Sequence, residues 1–133
     1  MSQENVEVAR AATERFNRDG WLPEEFFDPD VEFSNLAESP LPGPYRGYDG
    51  LRQWRLDLFE VVEDGRFETW DFTDVDDADA VMFRVRLRGR AKHTGIDVDV
   101  SWTTVDWFRD GRIHRTAAYT DHGEALEAVG LRE

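Results

Sequence analysis

Asp121 and His122 lie side by side near the C-terminus, in the stretch YTDHGEALEAVG, where an alternating segment gives way to a helical one. A carboxylate beside an imidazole is a common pair in general acid–base catalysis. Asp121 followed three residues later by Glu124 also has the pattern of a capping box, in which the carboxylate accepts from the amide of Gly123 or Glu124. Both interpretations of Asp121 stay open, and we expect His122 to lie exposed in the first helical turn.

Asp106 and Arg115 form a second candidate pair, on two strands that the hairpin motif RDGR connects. Its Asp-Gly dipeptide supplies the positive backbone dihedral angles of a two-residue turn, which predicts that Asp106 faces Arg115. On the same register Trp102 faces Tyr119, and both share that face with Asp121. In an apolar pocket Asp106 could act as a general base, and Arg115 could fix its charge or hold an anionic ligand. A cross-strand ion pair without a catalytic role is the alternative.

Two amphipathic helices are predicted from apolar residues spaced three and four positions apart. The first spans residues 2–18, and the second spans 48–64. Between them the sequence predicts a short helix at 23–27, a strand at 30–35 and a proline-rich loop at 36–47.

Four strands follow, in which the apolar period changes from about 3.6 to 2. They are expected at residues 66–75, 80–91, 95–108 and 112–121. The second of them alternates apolar residues with four arginines, which is typical of an antiparallel strand with one buried face. The predicted register between the strands at 80–91 and 95–108 places Asp97 opposite Arg90 and Asp99 opposite Arg88. Helices before a run of antiparallel strands indicate an α+β fold, with the helices on one face of a curved sheet.

Composition limits the classes of partner. The chain of 133 residues has 29 acidic and 16 basic side chains and a formal net charge of −13. This charge repels phosphate backbones and anionic lipids, so we expect no nucleic-acid partner and no membrane partner. The length fits a single domain over residues 1–133. Neither a leader-like segment nor an apolar stretch of roughly 20 residues is present, and we expect a cytoplasmic protein.

The sequence points to an organic ligand more than to a metal. Cysteine is missing, and the acidic segment 74–80 lacks the glycine and the final glutamate of a calcium loop, so we expect no metal site. Nine Phe, five Trp and three Tyr exceed the needs of a thin core, and such a surplus often indicates a pocket for an apolar small molecule. The alternative is that these aromatic residues fill the core of a strongly curved sheet and line no pocket. The expected ligand-binding residues are Trp102, Tyr119, Trp54, Trp70, Phe16 and Phe83.

The segments FNRDGWLPEEFFDPDVEF, PYRGYDGLRQW and WFRDGRIHRTAAYTDHGEALEAVGL resemble, in this order, the SnoaL-like branch of the NTF2-like superfamily. The resemblance covers nearly the whole chain. It implies a conical α+β barrel, in which a curved mixed or antiparallel sheet and the N-terminal helices enclose one apolar cavity. It also implies a homodimer that packs through the outer face of the sheet. Polyketide cyclases, ketosteroid isomerases and limonene epoxide hydrolases share this fold, so the fold does not name a reaction.

The catalytic residues of the known enzymes of that superfamily are only partly matched in this sequence. Phe33 stands where the ketosteroid isomerases have their general base, and Ala118 stands where the epoxide hydrolases have an acid before the tyrosine of the last strand. Polyketide cyclases carry an essential acid at the end of the last strand, and Asp121 lies near that position.

Two hypotheses about function follow, and whether the chain is an enzyme stays open. The first is a ligand-binding or dimerisation module without an assignable reaction. The alternative is a cofactor-independent cyclase, isomerase or hydrolase that acts on an apolar, carbonyl-bearing small molecule with Asp121 as general base. A carboxylate of Asp121 that is free in an open cavity would favour the enzyme, and a capping one would favour the module.

Overall fold

The structure is a computed structural model that describes residues 2–36, 39, 41 and 43–131. Within these residues, three α-helices and six strands follow one another: α1 (Ser2–Asp19), β1 (Phe27–Ser34), β2 (Tyr45–Arg46), α2 (Gly47–Val61), β3 (Val62–Val75), β4 (Ala80–Ala91), β5 (Asp97–Arg109), β6 (Arg112–Tyr119) and α3 (His122–Ala128). The predicted helix at 23–27 is a single 3-10 turn, Glu24–Phe26. The predicted loop ends in β2, and its residues 37, 38, 40 and 42 lie outside the described ones.

The six strands form one mixed sheet in the order β2-β1-β6-β5-β4-β3. Strands β3 to β6 pair as successive antiparallel neighbours, as the sequence predicts. The first strand, β1, runs parallel to β6 and antiparallel to β2. This parallel pairing brings the beginning of the chain next to its last strand and completes the α+β architecture.

Helices α1 and α2 pack on one face of the sheet, called the inner face below. Side chains on this face alternate along β4, and Val81, Phe83 and Val85 are all buried there. They belong to one apolar cluster with Val6 and Ala9 of α1. Helix α2 covers the remaining part of the face with Leu51, Trp54 and Leu58. Among the helices of the described residues, none is long and apolar enough to cross a membrane.

Helix α3 packs on the opposite, outer face. Ala125 of α3 and Val129, the residue directly after it, form a buried cluster with Met82 of β4 and Val105 of β5. Met82 and Val105 alternate with residues of the inner face, so their side chains point away from α1 and α2. The expectation that the helices before the strands lie on one face of the sheet is confirmed for α1 and α2, and α3, which follows the strands, packs on the other face.

The register between β4 and β5 agrees with the prediction. Arg88 pairs with Asp99 and Arg90 pairs with Asp97. The closest ion pair is diagonal, since Nη2 of Arg86 lies 2.7 Å from Oδ2 of Asp99. These side chains are exposed, so this part of the outer face is charged.

The turn between β5 and β6 also agrees with the prediction. Asp110 and Gly111 have positive φ angles of 54° and 77°, as a two-residue hairpin turn requires. Next to the turn, Arg109 pairs with Arg112 and Phe108 pairs with Ile113, and this is the predicted register.

A β-bulge then shifts the register by one residue. Trp107 pairs with Arg115, so β6 contains one extra residue, His114, which has no partner across the strands. Asp106 consequently pairs with Thr116. The predicted pairing of Asp106 with Arg115 is wrong, because the bulge reverses the faces of all following residues of β6.

A second irregularity lies in β3. The register with β4 shifts between Trp70 and Thr73, next to Asp71, whose φ angle is 55°. Trp70 pairs with Arg84 on the outer face, whereas Phe72 stacks on Phe83 with ring centroids 5.0 Å apart. One strand thus directs neighbouring aromatic residues to opposite faces.

Candidate functional site

A cavity of about 640 Å³ lies between the inner face of the sheet and helices α1 and α2. Its volume falls in the range of pockets that hold small organic molecules. Most described lining residues are apolar, and the polar ones carry hydroxyl groups, one amide and one carboxylate, that of Asp106. No lysine, arginine or histidine occurs among the described lining residues. The cavity is therefore an apolar chamber with one ionisable group in its described wall.

Five aromatic rings form a connected aromatic wall on one side of the cavity: Phe16, Phe33, Trp54, Phe67 and Trp102. Trp54 is central, and its ring centroid lies 5.2 Å from that of Phe16 and 5.1 Å from that of Phe33. Phe67 continues the wall to Trp102, at a centroid distance of 6.3 Å and an interplanar angle of 85°. Ring pairs at these distances stabilise each other, so the wall offers a preformed apolar surface.

Strand β6 forms the opposite side with small residues. Thr116 and Ala118 of the strand and Thr120, directly after its end, line the cavity at alternating positions. Side chains of this size leave space that larger core residues would fill. The cavity exists because large side chains from the helices and β3 meet small ones on β6.

Asp106 is buried in the cavity wall, with 4% of its surface exposed. The hydroxyl of Thr116 donates a hydrogen bond of 2.8 Å to its Oδ1. Desolvation disfavours the ionised form and outweighs this bond, so burial raises the pKa of Asp106 to about 7. Both protonation states are therefore populated near neutral pH, as general acid–base catalysis requires.

Arg115 does not contribute to the cavity. Its side chain is exposed, and its guanidinium carbon lies 4.4 Å from the ring centroid of Trp107 on the outer face. The expected ion pair with Asp106 is thus wrong. Because of the bulge, the guanidinium of Arg115 is not buried in the cavity and stacks on the indole of Trp107 on the outer face.

Asp121 is exposed and caps helix α3. Its Oδ1 accepts a hydrogen bond of 2.8 Å from the amide of Gly123. This is the helix-cap arrangement, and the expectation of a carboxylate that faces the cavity is wrong. His122 does not pair with Asp121 and is only half-exposed, because its Nδ1 lies 3.0 Å from Oγ1 of Thr103, a residue of the outer face.

Four of the six aromatic residues expected to bind a ligand lie in the cavity wall: Phe16, Trp54, Phe83 and Trp102. Their role in binding stays a prediction. Tyr119 pairs with Thr103 and packs with the cluster under α3, because the bulge in β6 turns it outward. Trp70 is 38% exposed on the outer face, because β3 keeps Phe67 inside. The expectation that Tyr119 and Trp70 face the cavity is wrong.

Sequence reasoning missed three residues of the site. Phe67 is detectable, since it begins the alternation of β3 with an inward position. Phe33 belongs to the predicted first strand, but the sequence does not determine which face of the sheet its side chain occupies. The parallel pairing of β1 with β6 determines that face. Thr116 became a partner of Asp106 only through the bulge, for which the sequence contains no clear local signal. Within the described part of the chain, no group of three or more His, Asp or Glu could hold a metal ion.

The family model of the SnoaL-like domain matches residues 7–116. The chain belongs to the SnoaL-like family. Comparison of this SnoaL-like protein with curated proteins gives no match.

Solved structures similar to this SnoaL-like protein share its fold over nearly the whole length. An NTF2-like protein of unknown function from Burkholderia pseudomallei is 19% identical, with a TM-score of 0.76 over 96% of this chain and 98% of that chain. TerC, co-crystallised with polyporic acid, is 20% identical, with a TM-score of 0.75 over 95% and 98%. An NTF2-like protein from Burkholderia thailandensis is 23% identical, with a TM-score of 0.75 over 93% and 95%. At these identities the likeness shows a common fold only.

Asp106→Asn is expected to change how stability depends on pH. The folded-state pKa of about 7 exceeds the ordinary value of 3.8, so the folded protein keeps a proton that the unfolded chain releases between these values. The stabilisation is complete below about pH 4 and is lost as the pH rises through about 7, by about 4 kcal/mol. Asn keeps the acceptor for Thr116 and does not titrate. Urea unfolding at a series of pH values between about 4 and 8 measures this difference. The free energy of unfolding of the variant should rise relative to that of the wild type as the pH increases.

The exposed Asp97 of β5 provides the control for that measurement. Asp97→Asn should follow the wild-type curve across the whole range. Parallel curves for Asp106→Asn and the wild type would contradict the raised pKa.

Asp121→Ala is expected to lower the free energy of unfolding by about 1 kcal/mol, because the amide of Gly123 loses its acceptor. Asp121→Asn should cost only a few tenths of a kcal/mol, since Asn caps well. Chemical denaturation at neutral pH measures both values. Equal losses in the two variants would show that the carboxylate does more than cap α3.

Proposed function

We propose that this SnoaL-like protein is a cofactor-independent enzyme that moves a proton on an apolar, carbonyl-bearing small molecule. The cavity binds the molecule, and Asp106 is the general acid–base. The observation that carries the proposal is the carboxyl group of Asp106, which lines an apolar cavity and has a pKa of about 7. A group with a pKa near the working pH can both take up and return a proton.

The hydrogen bonds of Asp106 leave one oxygen for the substrate. Oδ1 accepts from Thr116, which fixes the plane of the carboxyl group. Among the described residues no group donates to Oδ2, so this atom can approach a C–H bond of the bound molecule. Ionised Asp106 would take a proton from the carbon next to a carbonyl, and the protonated acid would return it to another atom of the substrate. Isomerisation and intramolecular cyclisation both fit this step.

The shape of the cavity supports an aromatic or polycyclic ligand. The aromatic wall extends from Phe16 to Trp102 and offers ring faces and edges to a flat molecule. TerC, which has the same fold, was co-crystallised with polyporic acid, and this supports a small organic molecule as the ligand here.

A ligand-binding module without a reaction is the second candidate. It is favoured by Asp121, the acid that the sequence suggested as general base, because this carboxylate caps α3 and lies outside the cavity wall. In such a module Asp106 would be a polar anchor for the ligand. The two candidates differ in whether the bound molecule exchanges a proton with the protein.

Self-association through the outer face of the sheet is part of the same proposal. Trp70 is 38% exposed there, and its neighbour Arg84 is half-buried with an Nε that has no hydrogen-bond partner among the described residues. A second copy of the chain could cover the indole and accept a hydrogen bond from this Nε.

The proposed compartment is the cytoplasm, on the grounds of the sequence, and fractionation of cells that express the chain would test it.

Asp106→Asn is expected to abolish proton transfer and to keep ligand binding. The probe is 2-tetralone, an uncharged bicyclic ketone with acidic C–H bonds, incubated with the protein in deuterium oxide. Nuclear magnetic resonance follows the incorporation of deuterium next to the carbonyl, and quenching of tryptophan fluorescence follows binding. The wild type should accelerate exchange, and the variant should lose a factor of at least about 100.

Asp121→Asn is the matched control, because it neutralises an exposed aspartate and preserves the cap. It should exchange deuterium at the wild-type rate. Binding of 2-tetralone without accelerated exchange by the wild type would favour the module over the enzyme.

Trp70→Glu is expected to convert a dimer into a monomer, because it removes the indole that the second copy would cover and puts a charged group in its place. Sedimentation velocity of the wild type and the variant measures the change. Trp70→Phe, which keeps an apolar ring, is the control and should stay dimeric. A monomeric wild type at concentrations of tens of micromolar would exclude the outer-face dimer.

A further inference from the structure

Thr104 lies next to Asp106 on the inner face of β5. It is 7% exposed and lines the cavity. The two residues are separated by one position of a strand, so their Cα atoms lie about 6.6 Å apart on the same face. A small group of atoms can therefore contact both side chains at once.

The hydroxyl of Thr104 is held as a hydrogen-bond donor. The indole Nε1 of Trp102 donates to its Oγ1 at 2.9 Å. This bond uses a lone pair of the oxygen and leaves the hydroxyl hydrogen for another acceptor. Hydrogen bonds in a chain strengthen one another, so the indole also makes the hydroxyl a better donor.

No protein acceptor faces this hydroxyl from the neighbouring strands. The cross-strand partners of Thr104 are Phe83 on β4 and Ala118 on β6, and neither side chain can accept a hydrogen bond. Asp106 accepts from Thr116 and has no bond with Thr104. A nearly buried donor that has no acceptor among the described side chains is costly in an apolar site, and a ligand that supplies the acceptor removes this cost.

The charges around the cavity restrict the ligand further. The described lining residues include no cation, and Asp106 is negative in its basic form. A carboxylate or phosphate on the ligand would be buried without a counter-ion and repelled by Asp106, which is unfavourable. An uncharged ligand avoids both penalties.

We propose that Thr104 binds the carbonyl oxygen of the substrate, that Trp102 positions Thr104 for this bond, and that the substrate is an uncharged, planar aromatic ketone with an acidic C–H bond directed at Asp106. This inference rests on the proposed proton transfer and names the substrate class for it. Thr104 touches the reacting atoms and is a catalytic residue, whereas Trp102 acts through Thr104.

The chemical step balances without any further reactant. The C–H bond breaks as an O–H bond forms on Oδ2 of Asp106. Its electron pair forms the carbon–carbon double bond of an enolate, and the carbonyl π pair moves onto the oxygen, which accepts the hydrogen bond from Thr104. When Asp106 returns the proton to a carbon atom, the enolate collapses to the ketone. The hydroxyl thus stabilises charge that is largest in the transition state and the enolate.

Thr104→Val removes the hydroxyl and keeps the shape of the side chain. With 2-tetralone as probe, we expect kcat for deuterium exchange to fall by about 100-fold with a smaller change in KM, as for the loss of one oxyanion donor. Thr104→Ser should restore most of the rate. Trp102→Phe keeps a ring and removes the N–H, so it should have an intermediate rate. The midpoint of the pH profile, which reports Asp106, should not move in the valine variant.

Binding gives a readout that does not depend on turnover. The wild type should bind 2-tetralone more tightly than tetralin, the hydrocarbon without the carbonyl, by about tenfold, and Thr104→Val should remove this preference. Tetralin-2-carboxylate, which has the same rings and a negative charge, should bind more weakly than both. Thr103→Val is the matched control, because it makes the same substitution on the outer face of the same strand. It should leave both exchange and preference unchanged.

The outcomes separate the inference from the proposed function. Exchange that requires Asp106, together with an unchanged rate and ketone preference in Thr104→Val, would overturn the inference and leave the proposed function standing. A ketone preference that requires Thr104, without exchange by the wild type, would support carbonyl binding and overturn the proposed function. Tighter binding of the carboxylate than of the ketone would overturn the substrate class. If Thr104→Val does not fold, Trp102→Phe and Thr104→Ser test the same bond.

Discussion

The extra residue in β6, His114, is the constraint on which the arrangement of the cavity depends. Because of it, Ile113 and Thr116 both line the cavity although they are three positions apart. In a regular strand, inward positions alternate and Arg115 would face Asp106. The bulge places the guanidinium on the outer face and gives the carboxyl group a hydroxyl partner. A change of one residue in strand pairing thus decides which chemical groups the cavity contains.

The open cavity needs rigid walls, because an unfilled volume costs stability and invites collapse. The aromatic wall provides rigidity, since Trp54 contacts rings from α1, β1 and β3. On the other side, the small inward residues of β6 are backed by α3, which packs on the outer face through Ala125 and through Val129 directly after the helix. The helix that Asp121 caps therefore supports the sheet from outside. Asp121 contributes to the site only through this support.

Regular elements were predictable from the sequence, and interrupted ones were not. The apolar spacing of α1, α2 and β4 continues over many residues, so single exceptions do not hide it. The inward side of Trp102, Thr104 and Asp106 follows from the same alternation along β5. Tyr119 and Trp70 were misplaced for one common reason, an inserted residue in the strand of each. A bulge leaves the alternation intact on both sides and changes only the phase between them, which the sequence pattern does not reveal.

The displacement of Arg115 also explains why Asp106 can titrate near neutral pH. An arginine within about 4 to 6 Å would favour the ionised carboxylate and lower its pKa. With Thr116 as its partner, Asp106 keeps most of the effect of desolvation, and its pKa stays raised to about 7. The same lack of a cation in the described wall makes a negative ligand unfavourable. The bulge therefore sets both the proton affinity of the acid and the charge of the described cavity wall.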